Sequence, residues 1–214
     1  MTAKTLVAWK NQAGVGTLVG DGYDRHLLGF STGSRFLPFG SFSIFHKKLS
    51  DIAPSIDGLE VLSLNNLHFT FLALSPHSYS NPSFFPAELP ILQKITENHL
   101  PGVNVRLSQL RLLPLPNALL LVGIPDYKSI VARANFANAL LTSPWEIYLR
   151  RRYNRIAIPP LIWHCTIVRQ NRQFFSPALR ELCFDWIDHD FGEIQLEAPI
   201  LAAVTYNWSK VYML

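Results

Sequence analysis

A chain of 214 residues is long enough to bury a proper core, as one large domain or two small ones. With 49% apolar residues and no low-complexity tract, neither a disordered nor a fibrous protein is expected. The formal charge of +4 favours an anionic partner only mildly, and two cysteines exclude a disulfide framework and fit a reducing cytosol.

The opening "MTAKTLVAWKNQ" (1–12) has no apolar run of the signal-peptide kind. Residues 14–22, "GVGTLVGDG", tempt as a phosphate loop but lack its Gly-Lys-Ser/Thr ending, so a hairpin or surface loop is expected. "GFSTGSRFLPFGSFSIFHKKL" (29–49) alternates aromatics with small polar residues and reads as short strands or an ordered loop. Fourteen Phe, five Trp and seven Tyr point to sandwiched sheets more than to a helical bundle.

From residue 65 the chain says things twice. "NNLHFTFLALS" (65–75) reads as a strand, then come a Pro- and Ser-rich loop and a helical pattern, "PAELPILQKITENHL" (86–100). Two strand candidates follow, "VNVRLSQLRLL" (103–113) and "NALLLVGI" (117–124). The run 112–125 that spans them is too short and Pro-broken to cross a bilayer. "YKSIVARANFANALL" (127–141) is a predicted helix, and "EIYLRRRYNR" (146–155) a basic connector. Then "PPLIWHCTIVRQ" (159–170) repeats the strand, "SPALRELCFDWIDHD" (176–190) the helix, and "GEIQLEAPILAAV" (192–204) and "SKVYML" (209–214) the strand pair. This is a candidate duplication, repeats 60–125 and 156–214, in one bilobed domain spanning 1–214.

Both copies place a histidine and a threonine two apart in an apolar strand: His68 and Thr70, His164 and Thr166. Residues i and i+2 share a strand face, so each pair projects together, with Phe69 or Cys165 turned the other way. An imidazole moves protons near neutral pH, and a hydroxyl can hold an oxyanion. Were both faces to meet in one cleft, two such pairs would supply what phosphodiester cleavage needs: a base, an acid and donors for the non-bridging oxygens. A lone strand histidine is more often structural than catalytic. Two at matching places of a repeat are harder to dismiss, and none of the other five histidines has Ser or Thr two residues on.

At "LHFTF" and "WHCTI" the sequence resembles the two-histidine (2H) phosphoesterase superfamily, which includes the LigT-like RNA ligases and cyclic phosphodiesterases. The likeness covers the chain from about residue 60 onward by motif order, the first sixty residues matching only loosely, as in a divergent branch. It implies an α+β fold, bilobed and duplicated, with two antiparallel sheets flanked by helices around a central cleft. It also implies metal-independent hydrolysis of 2′,3′-cyclic or 2′,5′-linked phosphates of RNA ends or nucleotides, without a cofactor. His68 and His164 would be the acid–base pair, with a lean towards His164 as the base, and Thr70 and Thr166 the phosphate ligands. Arg169, where LigT-like members often have arginine, would contact the phosphate. It is off the parity of Thr166 and reaches the cleft only if the strand ends or bulges first.

Arg150 and Arg152, interleaved with Tyr148 and Tyr153, read either as a patch for an RNA backbone or as a solvated helix end. "ELCFDWIDHDFGE" (181–193) fits no standard metal spacing, and no metal site is expected. "FLPFGSFSIF" (36–45) could lend the cleft a stacking aromatic but reads better as core. The expected protein is a cytoplasmic monomer acting on RNA ends or a small cyclic nucleotide, with no membrane and no stable protein partner. The alternatives are a catalytically idle RNA- or nucleotide-binding module and an RNA 2′,5′-ligase.

Overall fold

The structure, a computed structural model, describes residues 2–12, 14–19 and 24–214. Among them run α1 (Thr2–Asn11), β1 (Gly29–Arg35), α2 (Gly40–Ile52), β2 (Leu59–Val61), β3 (His68–Ala73), α3 (Leu89–His99), β4 (Val105–Pro114) and β5 (Ala118–Pro125). There follow α4 (Tyr127–Leu141), α5 (Glu146–Tyr153), β6 (His164–Gln170), α6 (Pro177–Trp186), β7 (Ile194–Leu196), β8 (Ile200–Val204) and β9 (Val211–Met213). The strands form two antiparallel sheets, ordered β3-β1-β8-β9 and β2-β6-β5-β4-β7. The two H-x-T strands, β3 and β6, therefore lie in different sheets, each beside strands from distant parts of the chain. The expected α+β architecture of two antiparallel sheets with flanking helices is what the chain adopts.

Local chemistry explains most of the elements. Asp126 caps α4 by accepting from the Ser129 N–H at 2.7 Å, and Ser176 caps α6, whose first residue is Pro177. In β4, Val105 and Leu107 are buried, but so are Leu110 and Leu112, three residues further on. An inserted residue between Ser108 and Arg111, with Gln109 at φ 51°, reverses the alternation and keeps the apolar side inward. One contiguous core joins both sheets and the helices, with Phe69, Leu119, Leu121, Phe136 and Cys165 within it.

Three expectations are corrected. The stretch 29–49 is not all strand: after β1 it becomes α2, because Phe42, Phe45, His46 and Leu49 recur at helical spacing and all four are buried. The basic connector is a helix, α5. The strand read over 192–204 is two, β7 and β8, in different sheets, with Pro199 between them unable to donate to a ladder. Residues 14–19 form an exposed stretch whose Leu18 bridges Arg172 and whose Val19 N–H donates to Asn171 O at 2.9 Å; residues 20–22 of that glycine-rich segment lie outside the described residues. Helix α1, which no pattern flagged, is held by the buried Arg180, which donates to the carbonyls of Trp9 and Gln12 at 2.6 Å each. No helix among the described residues is long and apolar enough to cross a membrane.

Candidate active site

His68 opens β3 and His164 opens β6. Together with Thr70 and Thr166 they line one cleft of about 270 Å³, to which both sheets contribute. The two strands then share an irregularity. Thr70 pairs with Gly33 and Leu72 with Thr32, so Phe71 is an extra residue; Thr166 pairs with Leu120 and Val168 with Leu119, so Ile167 is another. Each bulge falls three residues after the histidine and reverses the side-chain alternation. The fifth residue after each histidine thereby returns to the cleft: Ala73 on β3 and Arg169 on β6. The bulge that Arg169 needed is present.

Each imidazole is set differently. The Nδ1–H of His68 donates to the Asn66 carbonyl at 2.7 Å, which fixes the tautomer and leaves Nε2 as the nitrogen that can exchange a proton. Its ring stacks on Trp208, centroids 4.3 Å apart and planes 16° off parallel. Trp208 has room there because position 33 is glycine. A Cβ on Gly33 would lie 2.8 Å from the Phe69 carbonyl oxygen and 3.1 Å from the indole. The turn carrying Trp208 is tied across to the other sheet: Glu60, on β2, accepts hydrogen bonds from the Tyr206 hydroxyl and from Asn207 Nδ2. His164, by contrast, has a buried Nδ1 without a partner among the described residues.

Burial holds His68 down to about 3 against the Asn66 carbonyl, with the charges of His164, Arg35 and Arg169 adding to it. Burial first, then Arg169, Arg152 and Arg133, hold His164 at about 4. Held this low, both imidazoles are neutral at pH 7. Arg169 Nη2 donates to Thr166 Oγ1 at 3.5 Å, and its guanidinium lies 5.5 Å from the Tyr206 ring centroid. Because Thr166 accepts from the arginine, its own hydroxyl hydrogen stays available to an oxyanion.

The arginine patch divides. Arg152 lines the cleft, whereas Arg150 pairs with Glu146 at 2.8 Å in a separate surface depression. Two residues on a helix are about 200° apart, so a run legible as one patch in sequence presents opposite faces. Arg150 therefore lies outside the cleft that the two histidines line. Three further residues line the cleft, of which His77 and Arg133 carry no motif and Tyr153 reads in sequence only as part of the basic patch. His77 sits in the loop after β3 and is pushed down to about 4, chiefly by burial. Arg133, inside the predicted helix 127–141, is 4% exposed and stacks on Trp163 at 3.8 Å. Tyr153 accepts from the Ala73 N–H at 3.1 Å. Only the tertiary fold brings these to the motifs.

The remaining candidates are structural. Phe42 and Phe45 are core, and none of Phe36, Phe39, Phe42 or Phe45 lines the cleft. Cys165 packs behind the site with its thiol pushed up to about 12 by burial, no nucleophile at neutral pH. In 181–193, Glu193 pairs with Arg106 and Asp190 with Arg111, and no grouping of three or more metal-type ligands occurs among the described residues.

No protein-family model and no curated protein matches the sequence. Solved structures do match. A conserved protein of unknown function from Agrobacterium tumefaciens aligns over 92% of this chain and 90% of its own, with a TM-score of 0.57 and 14% identity. A Thermus thermophilus protein aligns over 88% and 94%, with a TM-score of 0.54 and 16% identity. LigT of E. coli in its apo form aligns over 88% and 93%, with a TM-score of 0.42 and 14% identity. At these identities the first two establish shape and nothing finer: the α+β fold of this chain, two antiparallel sheets with flanking helices, is one it shares with the Agrobacterium and Thermus proteins.

Proposed function

We propose that the protein is a phosphodiesterase of the two-histidine type, opening 2′,3′-cyclic or 2′,5′-linked phosphates of RNA ends or nucleotides. One observation carries the reading: two H-x-T strands from different sheets, bulged at the same place, turn their histidines and threonines into a single cleft. A purely structural role for these pairs accounts for neither the second copy nor the arginine between them.

In the hydrolytic direction His164 takes a proton from water as the oxygen attacks phosphorus. His68 gives a proton to the departing 2′- or 3′-oxygen as its P–O bond breaks, leaving a nucleoside monophosphate; the two histidines then exchange protons with solvent. The Asn66 carbonyl at His68 Nδ1 favours the imidazolium an acid must be, but burial still leaves His68 at about 3, below His164 at about 4. The division therefore rests on where the bound phosphate sits and on that carbonyl, not on the resting values of the two rings. A phosphate's negative charge in the cleft offsets the burial that holds both rings neutral. Thr70, Thr166 and Arg169 take the non-bridging oxygens. The scheme needs no metal.

The test is turnover of a panel of 2′,3′-cyclic nucleotides, 2′,5′-linked dinucleotides and cyclic-phosphate-ended RNA. His68→Ala and His164→Ala should each lower kcat by about a hundred- to ten-thousand-fold with the fold intact by circular dichroism. Full activity in both variants would refute the assignment. A wild type that binds these compounds but turns over none is the idle binding module instead.

A further inference from the structure

The cleft is more basic than one cyclic phosphate requires. Arg133, Arg152 and Arg169 line it alongside His68, His77 and His164, and no carboxylate does. A cyclic phosphodiester carries a single negative charge, which Arg169 alone balances, with the two hydroxyls as further donors. Arg169 is committed to that centre through Thr166. The other two guanidiniums enter elsewhere. Arg152 comes from α5, whose next residue, Tyr153, is bonded at Ala73, the end of β3 remote from His68. Arg133 comes from α4 and donates to the Pro160 and Ile162 carbonyls at 2.6 and 3.3 Å.

Neither has a carboxylate partner among the described residues. Carbonyls satisfy the donors of Arg133 but cannot neutralise its charge, and a cation this buried without a counter-ion is costly. The Nε atoms of both arginines are buried and unpartnered. Burial holds Arg133 down to about 10, the direction expected where no anion is present.

We propose that this end of the cleft, with Arg152 as the direct ligand, Arg133 as the charge behind it and His77 beside them, binds a second anionic group of the substrate. Building on the phosphodiesterase reading, the preferred substrate is then a cyclic phosphate that bears a further phosphate. That group is either the 5′-phosphate of the same nucleotide or the adjoining phosphodiester of an RNA chain. The cleft's volume, at the small end for ligand sites, takes about one nucleotide unit and leaves any further chain outside.

Three substrates separate the possibilities: a nucleoside 2′,3′-cyclic phosphate with a free 5′-hydroxyl, the same with a 5′-phosphate, and a dinucleotide with a free 5′-hydroxyl ending in the cyclic phosphate. The expected result is a kcat/KM at least about tenfold higher for one or both of the substrates that carry a second phosphate, the size of one charge-assisted contact, and which of them is preferred names the source of the group. Arg152→Gln should bring that ratio to within about twofold of one, and Arg133→Gln should reduce it in the same direction. Equal kcat/KM for all three, or a ratio unchanged in Arg152→Gln, overturns the proposal while leaving the phosphodiesterase reading intact. If nothing is turned over, calorimetry with a nucleoside 3′,5′-bisphosphate against the 3′-monophosphate replaces the rate. Tighter bisphosphate binding lost in Arg152→Gln supports the second site, and equal affinities reject it. Arg133 holds loop carbonyls and its variant could fail to fold; Arg152 is half-buried, and its ratio decides the matter alone.

Discussion

Lowering the pH from 8 to 5 should destabilise the protein through the same two imidazoles that the site requires. In the unfolded chain a histidine titrates near 6.5, whereas in the fold burial holds His68 at about 3 and His164 at about 4. The unfolded state therefore binds protons that the folded state refuses, and stability present above 6.5 is lost as the pH falls towards the folded values. At pH 5 each unfolded ring is charged and each folded ring still neutral. The 1.5 pH units traversed below 6.5 cost about 2 kcal/mol per histidine, at roughly 1.4 kcal/mol per unit. Two of them remove about 4 kcal/mol, a large part of the ~5–15 kcal/mol typical of a domain. Urea unfolding at pH 8, 7, 6 and 5 measures this, and His68→Asn isolates one share. The variant should lose about 2 kcal/mol less than wild type between pH 8 and 5, because Asn does not titrate. His46 and His77, also lowered by burial, titrate in both proteins and cancel in the difference. Identical pH dependence in variant and wild type would refute the reasoning, since it would mean that His68 can be protonated in the fold at no cost.

Other perturbations test the parts around the histidines. Arg169→Lys keeps the charge but loses the planar fork shared between Thr166 and a phosphate, and should lower kcat/KM by about tenfold with little change in the urea midpoint. Glu60→Ala unties the turn that seats Trp208 on His68; it should cost about 2 kcal/mol in urea unfolding, as lost hydrogen bonds to a charged group do, and lower kcat as well. Gly33→Ala places a methyl against the Phe69 carbonyl and the indole, and should lower kcat by displacing Trp208 even where the melting temperature falls only slightly.

What was legible in the sequence was whatever repeats with a short period. The two H-x-T strands, α3, α4 and α6 all announce themselves in patterns of two or about 3.6 residues, and each is found where expected. Helix α2 was missed because its aromatics are interleaved with serines and follow a true strand, so alternation masked a helical face. Arg150 and Arg152 read as one patch in sequence, yet they fall on different faces of α5, because adjacency in sequence is not adjacency on a helix. Arg133, His77 and the Glu60–Tyr206 tie had no signal at all: each depends on which sheet β2, β6 and β8 join, a long-range matter that local composition does not encode.

The shared bulges also explain how a symmetric pair of motifs can become a directional site. Strand, histidine, threonine and bulge match step for step in β3 and β6, which by itself would present two equivalent acid–base groups to a phosphate. The equivalence breaks at the fifth residue after each histidine. On β6 it is Arg169, whose charge lies beside His164 and Thr166; on β3 it is Ala73, whose N–H is taken by Tyr153 and which leaves space rather than charge. Arg169 bears on both rings, with Arg35 adding to it at His68 and Arg152 and Arg133 at His164. Asn66 supports the imidazolium form of His68 alone. A phosphate drawn to Arg169 meets two rings that burial keeps neutral, of which only His68 has a carbonyl to support its protonated form. An arginine moved to position 73, with Arg169→Ala, should then favour the reverse division of labour. The pH–rate profile of that double variant reads it directly, by an exchange of which histidine, on replacement, removes the acidic limb and which the basic one.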